Sequence, residues 1–153
     1  MFAPALGAAL TGARRVLRAG GRLAVIVWST PERNPFHATP LAVMRALGRP
    51  APPDAELVRA LSLSAPGVLA QALAAARFRD VVVEPVPAPR RLASVAEAIA
   101  AQRDSRPLAR AMAHLDDATR AQAWMEIERA YRRFETPSGV AFPGEVLVGA
   151  ATK

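Results

Sequence analysis

The chain contains no cysteine, which excludes disulfides, thiolate metal sites and cysteine nucleophiles. It has two histidines, His37 and His114, too few for a zinc site unless carboxylates complete it; no metal site is expected. Aromatic residues make up only 5%, a poor supply for a platform on which bases stack. Lysine occurs once, at Lys153, so the net charge of +7 is almost entirely arginine. The arginines are spread along the whole chain, with adjacent pairs at Arg14/Arg15, Arg90/Arg91 and Arg132/Arg133. A basic balance so dispersed, without aromatics between the charges, predicts no nucleic-acid partner. No run approaches the ~20 apolar residues that a membrane span requires. Arg14, Arg15 and Arg18 interrupt the apolar N-terminal stretch where a secretory signal would need continuity. A cytoplasmic protein with no membrane partner is the expectation.

What is present fits one globular domain. At 153 residues, with 52% hydrophobic and 22% charged residues, a compact chain buries roughly 70% of its unfolded surface. The stretch "RVLRAGGRLAVIVWS" is the most informative. Apolar residues recur at Leu6, Ala9/Leu10, Ala13 and Val16/Leu17, the spacing of one helical face. Pro4 suits the first turn of that helix, and Gly20 the left-handed residue after the last. Leu23 to Trp28 is apolar at every position and rich in β-branched residues, which predicts a strand buried on both faces. "STPERNP" is then a loop.

Residues 37–47 predict a short helix closed by Gly48, and "RPAPPD" a stiff connector. Asp54 is expected to cap a helix through Leu61, and Ser64 the next, whose apolar positions are Val68, Leu69, Leu73 and Ala76. Residues 79–86 read as a strand ended by prolines. Further helices start at Ser94, where Glu97 completes a capping box, near Pro107, and after Asp116/Asp117. The last of these carries Ala121, Trp124, Ile127, Tyr131 and Phe134 at helical spacing. A final strand, irregular at Pro143-Gly144, covers residues 140–150. The order is an α/β layer with three strands.

Taken together, these segments resemble class I S-adenosylmethionine-dependent methyltransferases of the ubiquinone/menaquinone-biosynthesis type and its small-molecule relatives. "ARRVLRAGGRLAVIVWS" is similar to the family's "RVLRPGGRL" segment, the helix after the fourth strand followed by the fifth strand. "MFAPALGAAL" resembles the end of the fourth strand and the start of its helix. "LAAARFRDVVVE" resembles the "AAGFRDV" step into the sixth strand, and "GVAFPGEVLVGAATK" the closing antiparallel strand. Ala19 stands where the family usually has proline, and Arg77 where it usually has the glycine that ends a helix. The resemblance implies a partial Rossmann-like methyltransferase sheet: three strands in the order fifth, last, sixth, the last antiparallel, with helices on both faces and a helical insertion about residues 90–136. All of residues 1–153 would then be the C-terminal half of a methyltransferase-like domain.

The family holds S-adenosylmethionine at a glycine-rich turn after the first strand and at an acidic residue ending the second. No GxGxG occurs here, and the adjacent Gly20 and Gly21 precede a strand. The cofactor is therefore a family expectation whose site is largely absent from this chain, no cofactor-binding residue is assigned, and the strand that feeds the first helix is expected upstream of Met1. Ligands in open α/β sheets sit beyond the carboxyl ends of the strands. The resemblance thus places Phe2, Trp28 and Ser29 at the substrate side, with Phe36 and His37 on the covering loop. Ordinary packing is the competing account of Trp28 and Phe36. A solvated helix start is the competing account of His37, which could otherwise take a proton from an acidic substrate hydroxyl. Asp116 and Asp117 read as helix caps, and the Trp124–Phe134 stripe as core.

The function expected is that of a methyltransferase-family protein acting on a small molecule but unable alone to bind cofactor. The alternatives are a non-enzymatic interaction module and a half-enzyme completed by a partner chain. The strand from Leu23 to Trp28 has none of the usual edge protections, and is expected to recruit a second copy or a complementing chain.

Overall fold

In chain order the elements are α1 (Leu6–Val16), β1 (Arg22–Trp28), α2 (Pro35–Ala46), α3 (Ala55–Leu61), α4 (Val68–Ala75), β2 (Arg79–Pro87), β3 (Arg90–Leu92), α5 (Val95–Arg103), α6 (Arg106–Met112), α7 (Asp117–Tyr131), β4 (Glu135–Thr136), β5 (Gly139–Phe142) and β6 (Glu145–Thr152). The computed structural model describes residues 5–52 and 55–153, the side chains of 55–57 excepted. Met1, Phe2, Pro4 and the Asp54 cap lie outside the described residues. The chain divides into two units: residues 5–30 with Ala55–Pro87 and Glu145–Lys153, and residues 31–52 with Ala88–Gly144.

The first unit is built on a three-stranded sheet in the order β1-β6-β2, with β6 antiparallel to both neighbours. This is the order and direction expected of the fifth, last and sixth strands. The Ser29 N–H donates to the Glu145 carbonyl at 3.2 Å, and the Lys153 N–H to the Gly21 carbonyl at 2.9 Å. These bonds fix the phase of the ladder: odd residues of β1 bond to β6, and even residues of β6 turn their bonding groups to β2. Pro85 and Pro87 are odd residues of β2, so their missing N–H groups fall on its outer edge. The strand therefore runs through both prolines instead of ending at the first, as prolines permit only on an edge.

Helices α1 and α4 cover one face of this sheet. Leu10, Leu69, Leu73, Phe78 and Val27 are buried there, with Leu23, Val25, Val83 and Leu147 packed against them. Gly149 leaves room for that layer: a Cβ on it would lie 3.0 Å from Val25 and 3.1 Å from Leu69. The opposite face is open, with Ile26 66% and Val82 52% exposed. The expectation that the Leu23–Trp28 strand is buried on both faces, with helices on both sides, is corrected here. An all-apolar strand has no alternation to report which of its faces is covered.

Helix ends follow local chemistry. Gly20 has φ +72°, but it belongs to a turn in which the Gly21 N–H donates to the Arg18 carbonyl at 2.9 Å, because α1 has already ended at Val16. Helix α4 ends in a Schellman motif: the Phe78 N–H donates to the Leu73 carbonyl at 3.1 Å and the Arg77 N–H to that of Ala74 at 2.8 Å. Arg77 is the left-handed residue, at φ +63°. Ser64 does not cap α4; Gly67 is its N-cap, and the Ser64 hydroxyl donates back to the Leu61 carbonyl at 2.7 Å, closing α3 instead.

The second unit holds a small sheet in the order β3-β5-β4, antiparallel throughout, so the chain has more strands than the three expected. The expected final strand over 140–150 is two strands, broken at Pro143-Gly144, with one piece in each sheet. Gly144 is required there, since a Cβ would drive into the Ala88 carbonyl. Around this sheet Met44, Ile99, Leu108, Met112, Ile127, Tyr131 and Phe142 form a core. The caps expected from the sequence are present. The Ser94 hydroxyl accepts from the Glu97 N–H at 3.1 Å, and Asp116 accepts from the Thr119 N–H at 2.7 Å. These amide and hydroxyl bonds hold the Asp116 carboxyl below its usual pKa. In α7 the buried positions are Ala123, Ile127 and Tyr131. The stripe is core, as expected, but its phase passes through Ala123 and leaves Ala121 exposed.

Candidate substrate-side site

The residues that the resemblance assigns to the substrate side fall in both units, and each is described within its own. Trp28 ends β1, half-buried. Ser29 follows, 3% exposed, and its hydroxyl donates to Glu145 Oε1 at 2.6 Å. The strand register places Trp28 opposite Val146, which brings Ser29 and Glu145 together at the carboxyl end of β1, as the backbone bond between them requires. A hydroxyl that donates to a carboxylate is oriented and held. With no imidazole in that pair, it is not the nucleophile–base arrangement of covalent catalysis.

Phe36 is 4% exposed and belongs to the core of the second unit. Its ring lies edge-on to Phe142 at 5.1 Å and stacks on Tyr131 at 5.9 Å, with the Arg90 guanidinium 4.2 Å from its centroid. Packing is therefore the account of Phe36. His37 stands edge-on to the same ring at 4.9 Å. Although the residue as a whole is exposed, desolvation of the imidazole, and then the charge of Arg90, lower its pKa from the usual 6.5. His37 is thus neutral at pH 7, the form in which an imidazole can accept a proton.

The same region contains a polar network that the sequence did not announce. Pro40 sits inside α2 and has no N–H, so the carbonyl four residues earlier, that of Phe36, loses its helical partner. The Tyr131 hydroxyl and Gln102 Nε2 supply the missing bonds, each at 2.5 Å, and Gln102 also donates to the Tyr131 oxygen at 2.9 Å. Burial pushes the Tyr131 phenol well above its usual pKa, so it remains a donor. The signal was available in the sequence: a proline within a helix marks an orphaned carbonyl four residues before it.

The fit to S-adenosylmethionine is poor. β1 is followed by Ser29, Thr30 and a turn at Pro31–Arg33 instead of a glycine-rich turn into a helix. Gly21 precedes β1, and a Cβ there would meet the Arg18 carbonyl at 2.9 Å, so this glycine serves its own turn. Among the described residues no three His, Asp or Glu side chains are grouped to hold a metal ion. Nor is any helix among them long and apolar enough to cross a membrane.

One cleft of the first unit, about 420 Å³, is lined by Thr11, Arg14, Arg15, Arg77 and Lys153. Apart from the adjacent Arg14 and Arg15 these cations are far apart in sequence, and no local pattern marks the three groups as neighbours. No protein-family model matches the chain, and neither does any curated protein.

Proposed function

We propose that this chain is a methyltransferase-family module that supplies the substrate-side strands of a small-molecule methyltransferase and takes its cofactor-holding strands from sequence outside residues 1–153. The observation that carries this reading is the β1-β6-β2 order with an antiparallel middle strand, assembled from the segments whose sequences resemble the family's fifth, last and sixth strands. Trp28 and the Ser29–Glu145 pair lie at the carboxyl end of β1, where ligands of open α/β sheets bind. Methyl transfer is an in-line displacement that depends on positioning and on excluding water. A hydroxyl held by Glu145 suits that work better than a reactive nucleophile would.

Calorimetric titration with S-adenosylmethionine tests the division of labour: the chain alone is expected to give no binding heat, and a micromolar dissociation constant would overturn it. A fusion tests the family reading. Strands one to four of a methyltransferase sheet, joined ahead of Leu6, should bind S-adenosylmethionine and slow hydrogen exchange at the Ala24 and Ile26 amides, which face the edge of β1 that no strand among the described residues pairs with. A fusion that binds cofactor while those amides keep exchanging would overturn the reading.

This edge, unpaired among the described residues, favours a second reading, an interaction module. β2 protects its outer edge with prolines, whereas β1 offers the even residues Arg22, Ala24 and Ile26 without a proline or an inward lysine. A two-fold antiparallel pairing centred on Val25 sets Ala24 against Ile26 of the second copy and lets all these edge groups bond at once. Light scattering at tens of micromolar would reveal a dimer, converted to monomer by Ile26→Lys and untouched by Arg59→Lys. A folded monomer of the unmodified chain would refute this reading.

A further inference from the structure

The arginines that the sequence scatters are gathered by the fold. The strand register sets Arg22 and Arg79 on either side of Thr152. Lys153 follows, its Nζ donating to the carbonyls of Leu17 at 2.5 Å and Arg15 at 3.3 Å, and its own carbonyl accepts from Arg79 at 3.3 Å. Arg14 donates through Nε to the Arg77 carbonyl at 3.0 Å. Arg18 belongs to the turn that enters β1. The starts of β1 and β2, the end of β6 and the end of α1 thus meet at one end of the unit, bringing Arg14, Arg15, Arg18, Arg22, Arg77, Arg79 and Lys153 together. Asp80, a carboxylate, follows Arg79 in the irregular step of β2 before Val82.

Cations near a helix C-terminus are ordinary, since they offset its dipole. That accounts for Arg14, Arg15 and Lys153. It leaves Arg22 and Arg79, which begin strands, and Arg77, which occupies a left-handed position that costs an arginine more than a glycine. We propose that this end of the first unit binds the phosphodiester backbone of nucleic acid without regard to sequence. The proposal is independent of the methyltransferase reading.

The size of the surface selects a polyanion. Neighbouring strands are ~4.8 Å apart, which puts Arg22 and Arg79 roughly 10 Å from each other across β6, and the α1 cations lie one layer, about 10 Å, beneath the sheet. A single phosphate can meet only some of them, whereas a duplex presents a charge every ~1.7 Å along its axis. No aromatic residue is among the group, so the contact is to backbone and not to bases. Among the described residues the large apolar side chain exposed beside it is Val16, without the exposed Trp, Phe or Leu that membrane-surface binding uses.

Fluorescence anisotropy with a labelled mixed-sequence duplex of DNA, and separately with single-stranded RNA, tests the proposal. If about five phosphates are neutralised, duplex affinity should be micromolar at 50 mM salt and several-hundred-fold weaker at 200 mM, a log–log slope of about −4.5. The exposed triple Arg15→Ser/Arg18→Ser/Arg22→Ser should bind at least 30-fold more weakly and with a slope shallower by about 2.7. The corresponding triple to lysine should keep both. Arg45→Ser/Arg91→Ser/Arg106→Ser, three exposed arginines of the second unit, should change affinity less than threefold. Equal losses in the two serine triples would overturn the proposal, as would binding to vesicles containing phosphatidylserine without binding to either nucleic acid. A wild-type slope shallower than −2 would overturn it whatever the variants do.

Discussion

Arg77→Gly should stabilise the protein. Arg77 is the left-handed residue of the Schellman motif that ends α4, at φ +63°, and a side chain in that conformation costs roughly 1–2 kcal/mol. Glycine removes this cost but loses roughly 0.5–1 kcal/mol to the greater freedom of its unfolded chain. The net expectation is a gain of about 1 kcal/mol, or ~2–4 °C in Tm for a chain of this size. The bonds that the motif makes are all backbone bonds and survive the change. So does the bond from Arg14 Nε, which is to the Arg77 carbonyl. Charge offers a rival explanation, because Arg77 lies among other cations in the same cleft. Two controls separate the causes. Arg77→Ala removes the charge and keeps the strain, so it should move stability little. A gain of backbone origin should persist in 0.5 M salt, where repulsion between exposed charges is screened. Urea melts of the three proteins at low and high salt decide it. No gain from glycine, or an equal gain from alanine, would refute the backbone argument.

Tyr131→Phe should cost about 1–2 kcal/mol, because the Phe36 carbonyl keeps only Gln102. The cost should shrink in a Pro40→Ala background, where a restored N–H can reach that carbonyl; equal costs in both backgrounds, read from a double-mutant cycle in denaturant, would refute the orphaned-carbonyl account. Gly144→Ala should cost about 2 kcal/mol or more, since the neighbour in its way is backbone and cannot yield as a side chain would. Gly12→Ala, with open space around the new Cβ and a place inside α1, should instead stabilise by about 0.5–1 kcal/mol in thermal melts. The His37 pKa is lower in the folded chain than the ordinary 6.5, so the unfolded state binds the proton more readily. Its contribution to stability is therefore complete above that value and is lost as pH falls below it. His37→Gln should flatten this part of the stability–pH curve, and an unchanged curve would show that the imidazole titrates normally.

Local chemistry was legible from the residues alone. The helix closed by Gly48, the Ser94–Glu97 box and the Asp116 cap need only neighbours a few positions apart, and each is where the sequence put it. Arg77 is a different case: its left-handed conformation, at φ +63°, was expected from the resemblance, which sets it where the family has the glycine that ends a helix. The resemblance extended this reach to the strand order of the first unit. Ser64 failed because two helices competed for one hydroxyl, and the carbonyl at the end of α3 took it.

Amino-acid order by itself determined the helices, the strands of the first unit and the apolar stripe of α7, because propensity, caps and period act over one or two turns; the short strands β3 and β4 it did not announce. Tertiary structure alone decided which face of β1 is covered, since an all-apolar strand records no side. It split the last apolar segment between two sheets at Gly144, where the close approach of Ala88 comes from a part of the chain more than fifty residues earlier. It likewise brought Arg14, Arg22, Arg77 and Lys153 to one end of a unit. A strand register sums contacts between distant segments, and no window along the chain contains them.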